Sequence, residues 1–408
     1  MKQRILVAAA SLVLSALILL LMPLGPTQGT KPTDPNGTID IGGTGPNRPW
    51  PTDPEQPGQV RLYSCDETML AVFDQLASNY RELTGVEVVV LRSGEAGCQA
   101  TLQQYMETEN APTVLCIHNQ SQLKAWEGEL LDLQHTPLAS ALCNPSFGMW
   151  SNGKMLVVPM AVEGYGLLVN AELLAGVALT RSDITDFTSL ATAVQILKDN
   201  SIKAFPTAQF TLQEAWGLLL DGHMETIRQV VDLYLANCNK TGETQELFLA
   251  GKAAFYLGGT WEYDALAAAE SSGLHVRNLD ILPIFVTGDM QYVCSSGWGI
   301  NANARQVDVD ATVDFLTWLV TAQDGAAPVD QLQMLSPFVS ATWYGNQLEK
   351  RLRSYMVTEG VQLRWKDAGS KPNGVLLALE IYAEESTDEN WNRLCAAVTQ
   401  FKAENGFQ

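Results

Sequence analysis

The segment GKAAFYLGGTWEYDAL, residues 251–266, breaks an apolar run at Gly258-Gly259 and then presents Thr260, Trp261 and Glu262 before an alanine-rich stretch. These residue types suit contact with a small flat-faced molecule. An indole is a wide, rigid apolar plane that loses little side-chain entropy when something rests on it. Paired glycines take side chains away, so backbone can come close to a guest. Glu262 can cap the helix that follows or accept hydrogen bonds from hydroxyl groups. Glu163 and Tyr165 in EGYG, Trp298 in GWGINANA and Trp365 in WKDAGSKPNG add carboxylate and aromatic surface. Glu67, Glu95, His118 and Asn119 join them because each follows a strand-like run.

Other chemistries lack their signatures. No G-x-S-x-G, H-E-x-x-H or P-loop pattern occurs in the chain. Cys116-Ile-His118 is too short for a metal or nucleophile motif, since alternate residues of a strand point to opposite sides. Asp308, Asp310 and Asp314 resemble part of a calcium loop, but the turn glycine and the closing glutamate are missing. The seven cysteines contain no C-x-x-C pair and are irregularly spaced, so no metal site is expected. Their odd number leaves at least one free thiol. Cys116 in TVLCI and Cys395 in LCAAV read as small core hydrophobes rather than members of a full disulfide framework. No cofactor is expected.

The elements that must position these residues alternate between strand and helix patterns. VRLYS (60–64), VEVVVL (86–91) and APTVLCI (111–117) read as strands. Between the first two, Leu70, Phe73, Leu76, Ala77 and Tyr80 follow helical spacing and Gly85 ends the run. Helices are also expected over 122–131, 189–199, 212–220 and 224–236, and from Asp310 as a cap. Such repetition implies an α/β fold with mostly parallel sheets, whose ligands sit beyond the carboxyl ends of the strands. EGYG, set between two apolar runs, reads as a flexible crossover.

Upstream, Lys2 and Arg4 precede the apolar stretch Ile5–Met22, which reads as a signal or membrane anchor over residues 1–24. Residues 25–59 hold eight prolines and seven glycines and almost no large apolar side chain, the composition of a linker. The 25 basic and 45 acidic residues give a formal charge of −20, which argues against nucleic acid as a partner. The expected arrangement is a domain outside the cell, tethered or secreted.

The order of motifs resembles the family 1 extracellular solute-binding proteins of ABC importers, the maltose-binding-protein-like group. VPMAVEGYGLLVNAELL is similar to that family's first hinge crossing, and FLAGKAAFYLGGTWEYDAL to its most recognisable signature. LDILPIFV followed by GWGINANARQVDVDATVDFLTWLVT resembles its return crossing and the helix after it. The resemblance spans about residues 60–408 and implies two lobes closing on a ligand, with residues 60–162 and 284–335 in the first lobe and 163–283 and 336–408 in the second. It further implies that Trp261 stacks on the C–H face of a pyranose, that the partner is a membrane permease, and that the protein works as a monomer without catalysis. The family's lipid-anchoring cysteine is missing, since Cys65 is the first in the chain.

Three rival readings remain at this stage. Acidic residues with tryptophans would suit a polyamine through cation–π contact. Glu163 and Glu262 could be the carboxylate pair of a surface glycosidase. A tethered sensor domain could use the same fold without a permease.

Overall fold

The computed structural model describes residues 57–94, 97–206, 224–238, 244–268, 274–283, 291–294, 296–323, 325–343, 345–356, 362–365 and 373–405. The expected anchor over 5–22, most of the linker, the helix over 212–220 and Glu95 lie outside them.

β1 (Gln59–Ser64), β2 (Glu87–Arg92) and β3 (Val114–Ile117) alternate with helices at Glu67–Thr84 and Cys98–Met106. The first helix buries the five residues its spacing selects. Asp66 caps it by accepting from the Thr68 N–H, and Gly85 closes it at φ 78°. β4 (Met149–Ser151) and β5 (Lys154–Pro159) form a hairpin across Asn152-Gly153, both with positive φ as a tight turn requires. β6 (Glu163–Asn170), β7 (Phe255–Gly259), β8 (Leu279–Leu282) and β9 (Gln291–Cys294) follow, then β10 (Gly297–Ile300) and β11 (Gln362–Trp365).

Two sheets result. One is ordered β2-β1-β3-β10-β5-β4, the other β11-β9-β6-β7 with β8 also on β6. In the first, β1 pairs in parallel with β2 and β3, while β10 is antiparallel to both β3 and β5. In the second, β7, β8 and β9 each run against β6, and β11 runs with β9. Most strands of each sheet therefore share one direction.

Side chains alternate between two dry faces. On β3, Val114 and Cys116 enter one apolar cluster, and Leu115 and Ile117 enter another. On β6, Leu167 and Val169 face one cluster and Leu168 faces the other. Sheets covered on both faces are what near-continuous apolar strands imply. The result is a mixed α/β molecule with two sheets, each packed between helices.

Several expectations need correcting. EGYG is no flexible break, because Glu163, Gly164, Tyr165 and Gly166 form the first half of β6. A Cβ on Gly164 would lie 2.3 Å from the Leu352 side chain, and one on Gly166 would lie 2.3 Å from the Leu282 carbonyl. Those glycines admit close neighbours rather than bending. Asp310 is not a cap, since the helix spans Gln306–Val320 and starts after Arg305. The helix expected over 122–131 runs from Gln120 to Trp126. β9 belongs to the second sheet, so the change of sheet falls between Cys294 and Gly297 rather than at residue 284. Cys65 and Cys98 form a disulfide, a pairing that spacing could not reveal.

The chain passes between the sheets at 160–162, again between Cys294 and Gly297, and a third time between the 3-10 turn Pro328–Leu332, packed on the first sheet's helices, and the helix Gln347–Met356, packed on β6 and β8. The Met160 N–H donates to the Ser296 carbonyl at 3.0 Å, and the Val162 N–H donates to the Leu335 carbonyl at 2.8 Å. The crossings are thus bonded to one another.

Candidate functional site

β6 and β7 pair with Tyr165 opposite Gly259 and Gly166 opposite Gly258. Beyond Gly259 the chain turns into a single 3-10 turn, Thr260–Glu262, followed by a short helix at Tyr263–Ala268. The Thr260 hydroxyl accepts from the Gly164 N–H at 3.1 Å and pins this turn to the start of β6.

Trp261 stays on the surface at 41% exposure. Its ring is parallel to Tyr165, with an interplanar angle of 2° and centroids 5.9 Å apart. Tyr165 itself is buried. A Cβ added to Gly259 would lie 2.3 Å from the indole, so the glycine makes room for the ring. This revises the role first given to the pair, since Gly259 admits the tryptophan rather than a guest. Gly258 serves its neighbours likewise, because a Cβ there would meet the Tyr256 ring at 2.8 Å and Glu262 Oε1 at 2.9 Å. Glu262 is buried and accepts a 2.8 Å hydrogen bond from the Tyr256 hydroxyl. That bond ties the last residue of the turn to β7.

Glu163 is half-buried at the first position of β6. Two carboxylates that the sequence did not single out share its surroundings, Asp264 and Glu349. Burial pushes the Glu349 carboxyl up, hydrogen bonds from the Asn346 and Gly345 backbone oppose this, and the charges of Asp264 and Glu163 push it up further. Glu349 accepts from the Asn346 N–H at 3.0 Å, while its own N–H donates to the Asn346 side chain. Trp343 was missed as well. A Cβ on Gly345 would lie 2.5 Å from the Trp343 ring and 3.4 Å from Glu349 Oε2, so this half-buried indole lies against the glycine near the carboxylate. The available signal was a repeated device: Thr-Trp with a glycine two residues from the tryptophan occurs at both Trp261 and Trp343.

The remaining expected positions separate from this group. Trp298 is fully buried in β10 and stacks on Phe338, so it is a core residue. Trp365 is the last residue of β11, opposite Cys294, rather than part of a polar turn. Asn119 is buried and caps the helix at Gln120–Trp126, accepting from the Gln122 N–H at 2.9 Å. Glu67 is exposed at the first position of its helix. His118 is half-buried at the end of β3, near the Cys65–Cys98 disulfide. Two surface concavities, one bounded by Arg277, Asp280, Lys350 and Arg351 and the other by Leu179, Asp183 and Asp186, include none of the expected site residues. Asp308 holds no calcium-loop geometry; it is buried and bonded to Arg61, Arg305 and the Gln59 N–H.

The family model described as "Bacterial extracellular solute-binding protein" matches residues 75–341, well over half of the chain. The chain belongs to this family. Its members are extracellular receptors that bind solutes rather than convert them. No curated protein matches the chain by sequence. Among solved structures, it is similar to a family 1 extracellular solute-binding protein from Bifidobacterium longum subsp. infantis, with TM-score 0.65 and 12% identity, over 85% of this chain and 99% of that one. The cyclic alpha-maltosyl-1,6-maltose binding protein from Arthrobacter globiformis gives 0.61 and 15%, over 85% and 100%. RafE from Streptococcus pneumoniae in its apo form gives 0.62 and 14%, over 85% and 98%, and RafE is also known in complex with raffinose. At such identities the likeness is one of fold. It makes this solute-binding protein a two-lobe molecule with one sheet in each lobe.

Proposed function

We propose that this solute-binding protein captures a carbohydrate, an oligosaccharide, between its lobes and delivers it to an ABC-type permease, acting as a monomer without catalysis. The observation that carries the reading is the Trp261 ring, exposed at 41% yet braced by a parallel Tyr165. A large aromatic left open on a rigid support is suited to the C–H face of a pyranose. Neighbours of the same fold include a maltosyl-maltose binder and a raffinose-bound protein, which supports sugar over other solutes. Tethering of the protein to the outer face of the membrane follows from the apolar stretch Ile5–Met22 and the linker after it. Glu262, buried at the end of the turn and held by Tyr256, is poorly placed to act as the nucleophile of a glycosidase.

Thermal denaturation across a panel of oligosaccharides tests this. A ligand at a hundredfold excess over its Kd should add about 2.7 kcal/mol of stability. Trp261→Ala should then weaken the best sugar roughly 30-fold, equivalent to about 2 kcal/mol. Unchanged affinity removes the stacking role.

A second reading has one observation in its favour, the carboxylates of Glu163, Asp264 and Glu349 gathered in one region. They would suit a polyamine. Glu349→Gln separates the two, since it should weaken a cationic solute and leave a neutral sugar unaffected.

A further inference from the structure

The ends of the three parallel strands of the first sheet bring together side chains that the sequence keeps far apart. Cys65 follows β1, Cys98 opens the helix after β2, and His118 follows β3. The two Sγ atoms and a ring nitrogen of His118 all lie within 4.8 Å of one another, and each of the three residues is half-buried, within reach of solvent. The backbone around them is well held. The Tyr63 hydroxyl donates to the Cys98 carbonyl at 2.7 Å, and the His118 N–H donates to the Gln122 side chain at 2.8 Å.

We propose that, once the Cys65–Cys98 disulfide is reduced, the two thiolates and His118 form a three-ligand site for a zinc-like divalent ion. Tetrahedral zinc with Zn–S bonds near 2.3 Å and Zn–N bonds near 2.0 Å needs ligand atoms about 3.5–3.8 Å apart. The Cys65 and Cys98 Cα atoms are 5.6 Å apart. Rotation of the freed side chains supplies that spacing without moving strands. Cys98 is the first residue of a nine-residue helix, where the partial positive charge of the helix start favours an anionic ligand. Three protein ligands leave a fourth position for water, the pattern of an open zinc site. Disulfide and metal exclude each other, so the site is gated by redox state.

The electrons balance simply. An external dithiol gives two electrons and two protons to the Cys65–Cys98 bond and leaves as its own disulfide. The ion then displaces those two protons, and His118 binds as the neutral imidazole. Among the other free cysteines, Cys116 and Cys294 are buried and out of reach of an ion from solvent.

The test uses the full chain reduced anaerobically with a phosphine, freed of reductant and titrated with Co²⁺, with the unreduced protein beside it. The expected result is one equivalent bound with a thiolate-to-cobalt charge-transfer band, displaced by Zn²⁺ and missing from the unreduced protein. Cys65→Ser and Cys98→Ser should each abolish the two-thiolate band. His118→Ala, which leaves both thiols and removes no fully buried side chain, should weaken Co²⁺ at least about tenfold. A reduced protein without the band overturns the proposal. So does a band that survives Cys65→Ser, or a His118→Ala protein with parental affinity.

Discussion

At the level of single residues, the proposed site is a matter of what lies beneath an indole. Tyr165 lies parallel below Trp261, Gly259 leaves space beside it, and Glu262 is tied to Tyr256. Gly259 separates binding from folding. Its backbone sits at φ −122° and ψ 171°, ordinary extended geometry that alanine adopts without strain. The added Cβ would nevertheless meet the ring at 2.3 Å. Gly259→Ala should therefore displace the indole and weaken ligand at least about tenfold, while costing no more than about 1–3 kcal/mol of stability. Tryptophan fluorescence and titration with the sugar that best stabilises the parent would show both. A variant that binds like the parent means that ring position does not matter. From the sequence, Trp261 could be picked out by its flanking glycines and Tyr165 by its nearness to Glu163. That the tyrosine braces the tryptophan depends on strand register, which pairs residues 94 positions apart in a way no local pattern encodes.

At the level of elements, legibility followed periodicity. The helix at Glu67–Thr84 and the β1–β3 alternation were readable because apolar spacing dictates both. Trp298 was misjudged because a tryptophan in a glycine-flanked strand looks the same whether its sheet face is dry or open. The start of the helix at Gln306–Val320 was misplaced for a different reason. An acidic run such as Asp308, Asp310 and Asp314 signals a solvated helix start, yet Asp308 is the buried centre of a polar junction. It accepts from the Gln59 N–H at 2.8 Å and pairs with Arg61 and Arg305 at 3.3 and 2.7 Å, fastening the helix to β1. Burial alone pushes its carboxyl up, but the hydrogen bonds and charges of Arg305, the Gln59 N–H and Arg61 outweigh this and hold it below the ordinary 3.8. A carboxyl lowered by folding adds stability that is fully present above its unfolded value and is lost as pH falls towards the folded one. Urea titrations of Asp308→Asn and parent should therefore differ by about 3 kcal/mol at neutral pH and converge as pH falls below about 4. A gap that stays constant into acid means that the charge of Asp308 is not what fastens the helix.

At the level of the whole molecule, the question is what governs how the lobes are joined. The run 336–341 is held from both sides. From the first lobe, the Val339 N–H donates to the Ala141 carbonyl and the Cys143 N–H to the Pro337 carbonyl, each at 2.8 Å. From the helix Gln347–Met356, Arg353 donates to the carbonyls of Ser336, Phe338, Val339 and Ala341 at 2.9, 2.7, 3.1 and 3.2 Å. One guanidinium thus gathers four carbonyls that no helix or strand satisfies. Its planar fork of donors suits this task, and a lysine ammonium, a point charge on a flexible stem, cannot reach the same set. Arg353→Ala should cost about 2–3 kcal/mol, since charged hydrogen bonds are lost and the carbonyls must find water. Arg353→Lys should recover only part of that. Hydrogen exchange distinguishes a local fastening from a general loss of stability. If Arg353 fastens the crossing, amides at 338–341 and the Val162 N–H, which bonds to Leu335, should exchange faster while β1 and β3 keep their protection. Uniform acceleration through both sheets would instead make Arg353 an ordinary contributor to the fold. Because Val162 in the first crossing is bonded to Leu335 at the start of this one, freeing it should also change affinity for the proposed ligand without touching the Trp261 ring.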